Sequence, residues 1–360
     1  MSNNIIPEHT LPENWWHPDA FEARADALVC RAGAVKTTRE FFDRRGYVEV
    51  ETPALQVSPG MEPHLTAFET SLHDTVQDSA GEGRPVYLHT SPEFAMKKLL
   101  AAGMQRIFQL ARVFRNGERS ARHHPEFTML EWYRTGAGWR DIADEAAELV
   151  RTVCGPVAGY NGQTCDLGRP WEYLSVQQAF DKFAGIDLLE TASDPLRPDT
   201  EYLRLAADGI GVRTADGDTW EDIFFRIYLD RIEPHLGVGQ ATVLHSYPAS
   251  MAALARLSPE DARVADRFEI FVCGLELANG YGELTDAAEQ RRRFAAMTGQ
   301  RVAQGRDAYP VDEDFLAALD SGIPDCAGIA LGFDRLVMLA AGADRIEDVL
   351  WAPVAGPTVR

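Results

Sequence analysis

The sequence lacks the features that mark membrane and secreted proteins. No stretch approaches the roughly 18 consecutive apolar residues of a membrane span, and the N-terminus, MSNNIIPEHTLPENWW, has no basic segment followed by an apolar one. The five cysteines are scattered, odd in number and never spaced as CxxC, which argues against a disulfide framework and a zinc site. These absences predict a cytoplasmic protein without a membrane segment.

Basic charge is also scarce. There are 35 Lys and Arg residues against 55 Asp and Glu residues, giving a net charge of -20 and a pI of about 4.8. Proteins that bind nucleic acids usually carry a basic patch or a high pI, so this composition argues against a polyanionic partner such as tRNA. The 45% hydrophobic fraction is ordinary for a globular protein, and 360 residues suffice for one large core or a core with an inserted subdomain.

The most informative stretch is RIFQLARVFRNGERSARHHPEFTMLEWYR, residues 106–134. Its aromatic and aliphatic content predicts two strands, residues 107–115 and 126–133, joined by a polar loop. Strand alternation places four side chains of the second strand on one face: Phe127, Met129, Glu131 and Tyr133. A carboxylate buried on such a face is costly unless a partner or a ligand neutralises it.

The loop between these strands, residues 116–125, is longer than an ordinary hairpin connection. It carries Glu118, Arg119, Arg122, His123 and His124, with Arg115 at its base. Guanidinium groups match phosphate geometry, so this loop suits a phosphorylated ligand. A solvated, charged hairpin tip is the alternative interpretation.

The order of these residues resembles motif 2 of the class II aminoacyl-tRNA synthetases, and within that class the lysine-specific subgroup. GIALGFDR, residues 328–335, resembles motif 3, and GYVEVETP, residues 46–53, resembles motif 1. The resemblance implies an α+β fold with a mainly antiparallel β-sheet flanked by helices. We expect an N-terminal arm over residues 1–18 and a catalytic domain over 19–360, with an inserted helical subdomain at about 155–259.

Helical periodicity over residues 20–45, followed by a short strand at 47–51, resembles the unit that forms the dimer interface in this class. The resemblance therefore implies a homodimer, whereas a plain amphipathic helix packed on its own core explains the periodicity equally well. Ser91, Pro92 and Glu93 predict a helix start, and the helix should end near Gly103. Glu93 either faces the ligand or merely complements the helix dipole.

Residues 263–283 predict two strands that turn at Cys273 and Gly274. Alternation puts Asn279, Tyr281 and Glu283 on one face. Glu276 joins that face only if residues 278–280 form a bulge. An edge strand with one wet face is the alternative.

The resemblance also implies a reaction, in which a substrate carboxylate attacks the α-phosphate of ATP. Arg115 would hold the α-phosphate and carboxylate, His123 would contact the γ-phosphate, and Glu118 would lie on the adenine side. Phe127 and Arg335 would enclose the adenine, with Arg335 as a cation–π partner. Glu269 and Glu276 would ligate Mg²⁺, since phosphates and carboxylates share that cation.

The amino-acid pocket implied by the family would use six residues: Glu93, Glu131, Tyr133, Asn279, Tyr281 and Glu283. Several carboxylates in one pocket favour a cationic substrate, because otherwise they repel one another and become protonated. A lysine-like diamine fits this set, with its carboxylate on Asn279 and its side-chain ammonium near Glu283 and Tyr133.

Three departures from the lysine-specific synthetases narrow the resemblance. Only about 45 residues precede motif 1, which leaves no room for an anticodon-binding barrel. Ala330 stands where those enzymes have glycine, and its methyl group would favour a shifted amine such as that of β-lysine. Gly117 replaces the acidic residue of motif 2, with Glu118 directly after it.

The first two departures, together with TSPE, HPEFTMLEWY, ELANG and PDC, resemble the elongation factor P lysyltransferases. That family implies activation of (R)-β-lysine by ATP and transfer to a lysine ε-amine of elongation factor P. Two alternatives stay open: a truncated synthetase acting on tRNA or a small molecule, and a non-catalytic paralogue. The second is disfavoured because Arg115, Arg335, Glu269 and Glu276 are all present.

Overall fold

The structure is a computed structural model that describes residues 15–73, 83–194 and 197–354. Most of the predicted N-terminal arm, residues 1–14, lies outside the described residues. The strands are β1 Val48–Glu49, β2 Leu55–Gln56, β3 Phe68–Leu72, β4 Arg84–Leu88, β5 Arg106–Phe114, β6 Glu126–Thr135, β7 Val157–Tyr160, β8 Gln163–Asp166, β9 Glu172–Ser175, β10 Thr242–Pro248, β11 Val264–Val272, β12 Leu275–Gly282 and β13 Cys326–Gly332. The helices are α1 Pro18–Glu22, α2 Ala25–Asp43, α3 Glu93–Ala101, α4 Trp139–Cys154, α5 Val176–Ala184, α6 Thr200–Gly209, α7 Trp220–Ile227, α8 Ala287–Ala303, α9 Glu313–Asp320 and α10 Phe333–Ala341.

Eight of the described strands form one sheet in the order β1-β5-β6-β13-β12-β11-β10-β9. The two outer pairs, β1 with β5 and β10 with β9, are parallel, and the five inner pairings are antiparallel. Helices flank this sheet, so the predicted α+β class with a mainly antiparallel sheet is confirmed.

Strand alternation in β5 and β6 gives the sheet two different faces. Phe108 and Trp132 point into a core with α2, α4 and α10, where the rings of Phe42 and Phe108 stack 4.5 Å apart. Ile107 and Tyr133 point the other way, into a smaller core with α3, α8 and α9. The second face also carries the polar residues that the sequence singled out, so the first core fixes the sheet while the second supports the site.

Buried polar contacts tie helix α2, which precedes motif 1, to motifs 2 and 3. Arg31 of α2 forms a buried ion pair with Asp334 of α10, and its Nη2 donates to the Oγ1 of Thr128 at 2.8 Å. The backbone N–H of Thr128 donates to the Asp334 carboxylate at 2.6 Å. Because each of these buried groups has a partner, the network adds specificity at little cost in desolvation.

Residues 155–259 contribute both strands and helices. β9 and β10 extend the main sheet, whereas α5, α6 and α7 enclose a third hydrophobic core with Leu244 and Phe271. Sequence periodicity showed the helices of this span, but the pairing of β9 with β10 joins residues far apart in the chain. Strand pairing at such separation leaves no local signal.

The predicted helix boundaries differ from the structure in two places. The single helix predicted over residues 20–45 is interrupted near Arg24, whose guanidinium donates to the carbonyls of Glu347 and Leu350. The aromatic-rich residues 219–231 also predict one helix, but after α7 the chain continues as a π-helical turn, Tyr228–Ile232. Across the described ranges, no helix combines the length and the apolar composition that crossing a bilayer requires.

Candidate active site

One cavity of about 1210 Å³ lies over the polar face of the sheet. It is bordered by the loop between β5 and β6, by the loop between β2 and β3, by one face of α8 and by residues 219–221 at the start of α7. Nearly all residues predicted for the site line it: Glu93, Arg115, Glu118, His123, Phe127, Tyr133, Glu269, Glu276, Asn279, Tyr281, Glu283, Ala330 and Arg335. Glu131 is the exception, because it lies fully buried behind the cavity wall.

The register of three neighbouring strands arranges the cavity floor in rows. Ala330 of β13 lies between Glu131 of β6 and Asn279 of β12, and Gly328 lies between Tyr133 and Tyr281. A Cβ atom on Gly328 would lie 2.2 Å from the Cδ1 of Tyr133 and 2.8 Å from Glu283, so only glycine fits there. The glycine of motif 3 therefore makes room for the tyrosine of motif 2.

A lysine of the protein lies in the middle of the predicted carboxylate pocket. Lys97 is one turn after Glu93 on α3, and its Nζ is 2.5 Å from the Glu93 Oε1 and 2.6 Å from the Glu283 Oε2. Its side chain is only 1% exposed. Lys97 therefore compensates part of the negative charge that the carboxylates bring to this pocket.

The pKa values of this pocket follow from burial and from the neighbouring charges. Burial by itself would lower the pKa of Lys97, but Glu283 and Glu93 raise it above its ordinary value. Burial raises the pKa of Glu283 to about 7, with Lys97 opposing the shift and Glu93 adding to it. The amino-acid end therefore keeps a charged lysine and a carboxyl group that titrates near neutrality.

Glu131 supports this pocket from behind. Its Oε1 accepts a hydrogen bond from Ser91 at 2.6 Å and its Oε2 accepts one from Tyr133 at 2.9 Å. Burial and the charge of Glu93 raise the pKa of Glu131 to about 8. Tyr133 is thus engaged by Glu131 rather than by Glu283, and Glu131 is placed to orient Ser91 and Tyr133.

Asn279 and Tyr281 form the side of the pocket next to Ala330. The Nδ2 of Asn279 donates to the hydroxyl of Tyr281 at 2.9 Å, and the Asn279 Oδ1 is buried with no hydrogen-bond partner in the described ranges. Rotating the amide by a half turn would let Tyr281 donate to Oδ1 and would aim Nδ2 at a ligand. A buried amide atom without a partner is costly, so it marks a position that a ligand can satisfy.

The opposite end of the cavity carries cations. The Arg115 guanidinium lies 5.2 Å from the ring centre of Phe127, and the Arg115 Nε is buried without a hydrogen-bond partner among the described residues. Arg335 donates through Nη1 to the Glu276 carbonyl at 2.7 Å and contacts the His123 Nε2 through Nη2 at 3.0 Å. These contacts connect motif 3 to the motif 2 loop.

His123 is held in its neutral form. Burial and the charge of Arg335 lower its pKa to about 4. With Arg335 donating to Nε2, the remaining proton lies on Nδ1, which is 2.8 Å from the hydroxyl of Ser120. His123 therefore contributes hydrogen bonds at this end of the cavity and no positive charge at neutral pH.

Glu269 and Glu276 lie on the same face because β12 contains a bulge. Ile270 pairs with Ala278 and Phe271 pairs with Glu276, so Leu277 is the extra residue. The sequence placed the required bulge at residues 278–280, one position too late. The neighbouring Arg267 contacts the Glu269 Oε1 at 2.7 Å.

The two carboxylates fit a cation that is shared with phosphates. Burial raises the pKa of Glu269, Arg267 opposes the shift, and Glu276 raises the pKa further, so the two carboxylates repel each other. In the described part of the chain no group of three or more His, Cys, Asp and Glu could hold a metal by itself. Mg²⁺ commonly takes one or two carboxylates and completes its shell with phosphates and water, which matches this pair.

Sequence reasoning missed four polar residues of the site: Glu62, Ser91, Lys97 and Arg267. Lys97 had a local signal, because residues four apart on a helix share a face and Glu93 had been singled out. Arg267 had one too, since it lies two residues before Glu269 on the same strand. Glu62 lies in an aperiodic loop, so nothing local marks it.

Comparison with known proteins identifies the class to which this protein belongs. The sequence matches the class II tRNA synthetases (D, K and N) over residues 16–355, and the chain belongs to this family. Within it, the chain is 43% identical over 341 residues to an elongation factor P–(R)-beta-lysine ligase of Proteus mirabilis, covering 94% of this chain and 97% of that protein. Proteins of the same name from Klebsiella pneumoniae and Salmonella arizonae are 42% and 43% identical, over 93% of this chain and 96% of theirs.

Proposed function

We propose that this protein is a ligase that activates (R)-β-lysine with ATP and transfers it to the ε-amine of a lysine on elongation factor P. One observation carries the proposal: a single cavity joins a carboxylate-lined pocket at Glu93 and Glu283 to a cationic end at Arg115 and Arg335. A diamino acid and a nucleotide therefore fit side by side. The relatives named as elongation factor P–(R)-beta-lysine ligases support this assignment.

At the nucleotide end, we assign the α-phosphate and the substrate carboxylate to Arg115, whose Nε is buried without a partner within the described ranges. Phe127 and Arg335 would enclose the adenine ring, with Glu118 beside it. His123 would lie beside the γ-phosphate and orient Arg335 through its Nε2. Adenylate formation depends on positioning and charge neutralisation, which fixed guanidinium groups supply.

Glu269 and Glu276 would hold Mg²⁺ together with the ATP phosphates. When bound, the ion would screen the phosphate charge that repels an incoming carboxylate. Arg267 keeps Glu269 oriented by its contact at 2.7 Å.

At the amino-acid end, Glu93 and Glu283 would receive the two ammonium groups beside Lys97, and the amide of Asn279 would bind the substrate carboxylate. Tyr133, Tyr281 and Glu131 shape this pocket. Ala330 lies between Asn279 and Glu131 on its floor. Its methyl group is the feature that favours an amine shifted by one carbon.

We also propose a homodimer built on α2 and β1, as in the class. Large apolar side chains are exposed along this part of the chain, including Val29 at 71% and Val48 at 51%. Residues 155–259 would form a subdomain of the catalytic domain. Because the proposed protein substrate acts in translation, we expect the reaction to take place in the cytoplasm. Sedimentation of the full chain tests the dimer.

The test of the function measures amino-acid-dependent ATP–pyrophosphate exchange with (R)-β-lysine and α-lysine, on the wild type and on Ala330→Gly. We expect a preference for β-lysine that the variant shifts toward α-lysine by about 10- to 200-fold, the range for one methyl-sized group. Strong α-lysine activity that is unchanged by the substitution would contradict the role of Ala330.

The acceptor is tested in the second half-reaction. Labelled β-lysine should appear on elongation factor P and not on tRNA, in agreement with the net charge of -20. Charging of tRNA without modification of the protein would favour a truncated synthetase instead. An absence of any exchange would favour a non-catalytic amino-acid-binding protein.

A further inference from the structure

Glu62 is a cavity residue to which the roles above assign nothing. It lies in the loop between β2 and β3 and lines the cavity beside Ser91 and Glu93. The residue is half-buried, and its Oε2 atom is buried without a hydrogen-bond partner among the residues described. A carboxylate oxygen left unsatisfied at a cavity wall is costly unless something enters to use it.

The loop that carries Glu62 is held from two sides. The Arg301 guanidinium of α8 donates to the Leu65 carbonyl at 2.8 Å, and Arg306 donates to the His64 carbonyl at 2.7 Å. From the motif 2 loop, the Asn116 N–H donates to the Thr66 carbonyl at 2.7 Å. Glu62 is therefore presented by fixed backbone, as a group that must act at a defined point requires.

Glycine at position 60 is required for this placement. Gly60 has φ +130, and a Cβ there would lie 2.7 Å from the Glu62 Oε2. Both the backbone conformation and the contact exclude a larger residue.

Glu62 lines the cavity together with residues assigned above to both of its ends. Burial and the charge of Glu93 raise its pKa, while a hydrogen bond from its own backbone N–H, Arg115 and His64 oppose the shift. Arg301 and Arg306 face the same loop and bind its carbonyl groups. Because Glu93 is assigned to the amino-acid end and Arg115 to the α-phosphate, an aminoacyl-adenylate held by both would bring its carbonyl group into the part of the cavity that Glu62 lines.

We propose that Glu62 is a catalytic residue of the transfer step and accepts the proton that the acceptor amine loses as it attacks the adenylate. This inference rests on the proposed function. The cavity, at about 1210 Å³, exceeds the usual 300–1,000 Å³ of a single small-ligand site, so a third reactant has room beside the adenylate.

The transfer step conserves atoms and charge. The acceptor ammonium releases one proton to water, and the neutral amine attacks the carbonyl carbon of the adenylate. The new C–N bond forms while the bond from that carbon to the phosphate oxygen breaks, and AMP leaves with the electron pair. The second nitrogen proton passes to the Glu62 carboxylate and then through the open cavity to water.

A base of this kind must be ionised to act, and the raised pKa of Glu62 brings its titration toward neutral pH. The transfer rate should therefore fall when the pH is lowered through that pKa. The pyrophosphate exchange reaction, which needs no amine nucleophile, should not share this dependence on Glu62.

The test compares Glu62→Gln and Glu62→Asp with the wild type in both half-reactions. General-base catalysis typically contributes 10²- to 10⁴-fold, so Glu62→Gln should slow transfer to elongation factor P by at least about a hundredfold. Exchange should fall by far less than transfer. Glu62→Asp should recover part of the rate together with the acidic limb of the pH profile, a rescue that a purely structural role would not give.

Glu69→Gln is the matched control, because Glu69 lies on β3 at the end of the same loop, is exposed and is not among the residues that line the cavity. Its transfer rate should therefore stay within a few-fold of the wild type.

The possible outcomes separate this inference from the function on which it rests. Wild-type protein that forms the adenylate but leaves elongation factor P unmodified overturns the proposed function itself. Normal transfer by Glu62→Gln overturns only the role of Glu62. Equal losses of exchange and transfer, with a raised KM for β-lysine, would show that Glu62 binds the amino-acid substrate and does not act as the base of the transfer step.

Discussion

The two ends of the cavity treat their charged groups differently. At the amino-acid end, Lys97 contacts two carboxylates within 2.6 Å, and Ser91 and Tyr133 both donate to Glu131. At the nucleotide end, the Arg115 guanidinium faces an aromatic ring and its Nε has no partner in the described part of the chain. At the amino-acid end a lysine of the protein already pairs with the carboxylates before any ligand arrives, whereas the nucleotide end has cationic groups to offer.

This difference matches the ligands that each end would receive. ATP brings several negative charges, so guanidinium groups that are unpaired in the free protein can form charge-assisted hydrogen bonds with phosphate oxygens when ATP binds. A diamino acid brings two ammonium groups into a closed pocket, where unpaired carboxylates would simply become protonated. Lys97 opposes the protonation of Glu283 and contacts one oxygen each of Glu93 and Glu283, which leaves their other oxygens for the substrate.

The largest effect expected from this comparison is at the nucleotide end. Arg115→Ala should lower ATP–pyrophosphate exchange by about 10²- to 10³-fold, as the loss of one charge-stabilising donor does in other enzymes. Thermal unfolding should change little, because Arg115 is half-buried and its guanidinium lies over the Phe127 ring. The control is Arg291→Ala, which removes an exposed arginine paired with Glu313 on the surface. An Arg115→Ala protein with normal exchange would remove Arg115 from the chemistry.

A substitution at the amino-acid end should lower the stability of the fold as well as weaken amino-acid binding. Lys97→Met leaves Glu93 and Glu283 without their shared cation, and breaking a buried ion pair from one side costs about 3–5 kcal/mol. Urea unfolding measures this loss, and the KM for β-lysine should rise as the carboxylates become protonated.

Lys98→Met is the matched control on the same helix. Lys98 is 30% exposed and pairs with Asp312, so its removal should cost clearly less than that of Lys97. Unchanged stability of Lys97→Met together with tighter amino-acid binding would show that Lys97 competes with the substrate rather than organising its pocket.

Local sequence patterns were enough to predict the parts of the fold that carry their own signal. The amphipathic pattern of residues 139–154 predicts a helix, and it matches α4. The two strands predicted around the motif 2 loop match β5 and β6 to within two residues. Alternation along β6 correctly separated the face with Glu131 and Tyr133 from the face with Trp132. The class itself followed from three motifs in order and is confirmed by the family match.

Features that depend on contacts between distant segments could not be predicted. Glu93 and Lys97 share a helix, but only the folded sheet brings Glu283 to within 2.6 Å of the Lys97 Nζ. The bulge at Leu277 depends on the pairing of β11 with β12, which residue types alone do not fix. Glu62 reaches the cavity because Arg301 and Arg306 hold its loop, and that contact spans more than two hundred residues.

The smallest effect expected from the comparison concerns Glu131, which supports the amino-acid pocket from behind. Its pKa is raised to about 8 in the folded protein, above the value of about 4.3 in an unfolded chain. The folded state therefore binds more protons than the unfolded state between these values. The resulting stability is fully present below about pH 4.3 and is lost as the pH rises through about 8.

Glu131→Gln removes this titration and keeps one side-chain oxygen as an acceptor, for either Ser91 or Tyr133. Urea unfolding between pH 5 and pH 9 should show that the variant loses less stability with rising pH than the wild type does. Some loss should remain in the variant, because Glu283 still titrates near 7. Glu126→Gln, at the start of the same strand, is the control and should keep the wild-type pH dependence. If Glu131→Gln also kept it, Glu131 would be ionised throughout, and both ends of the cavity would then depend on fully charged groups.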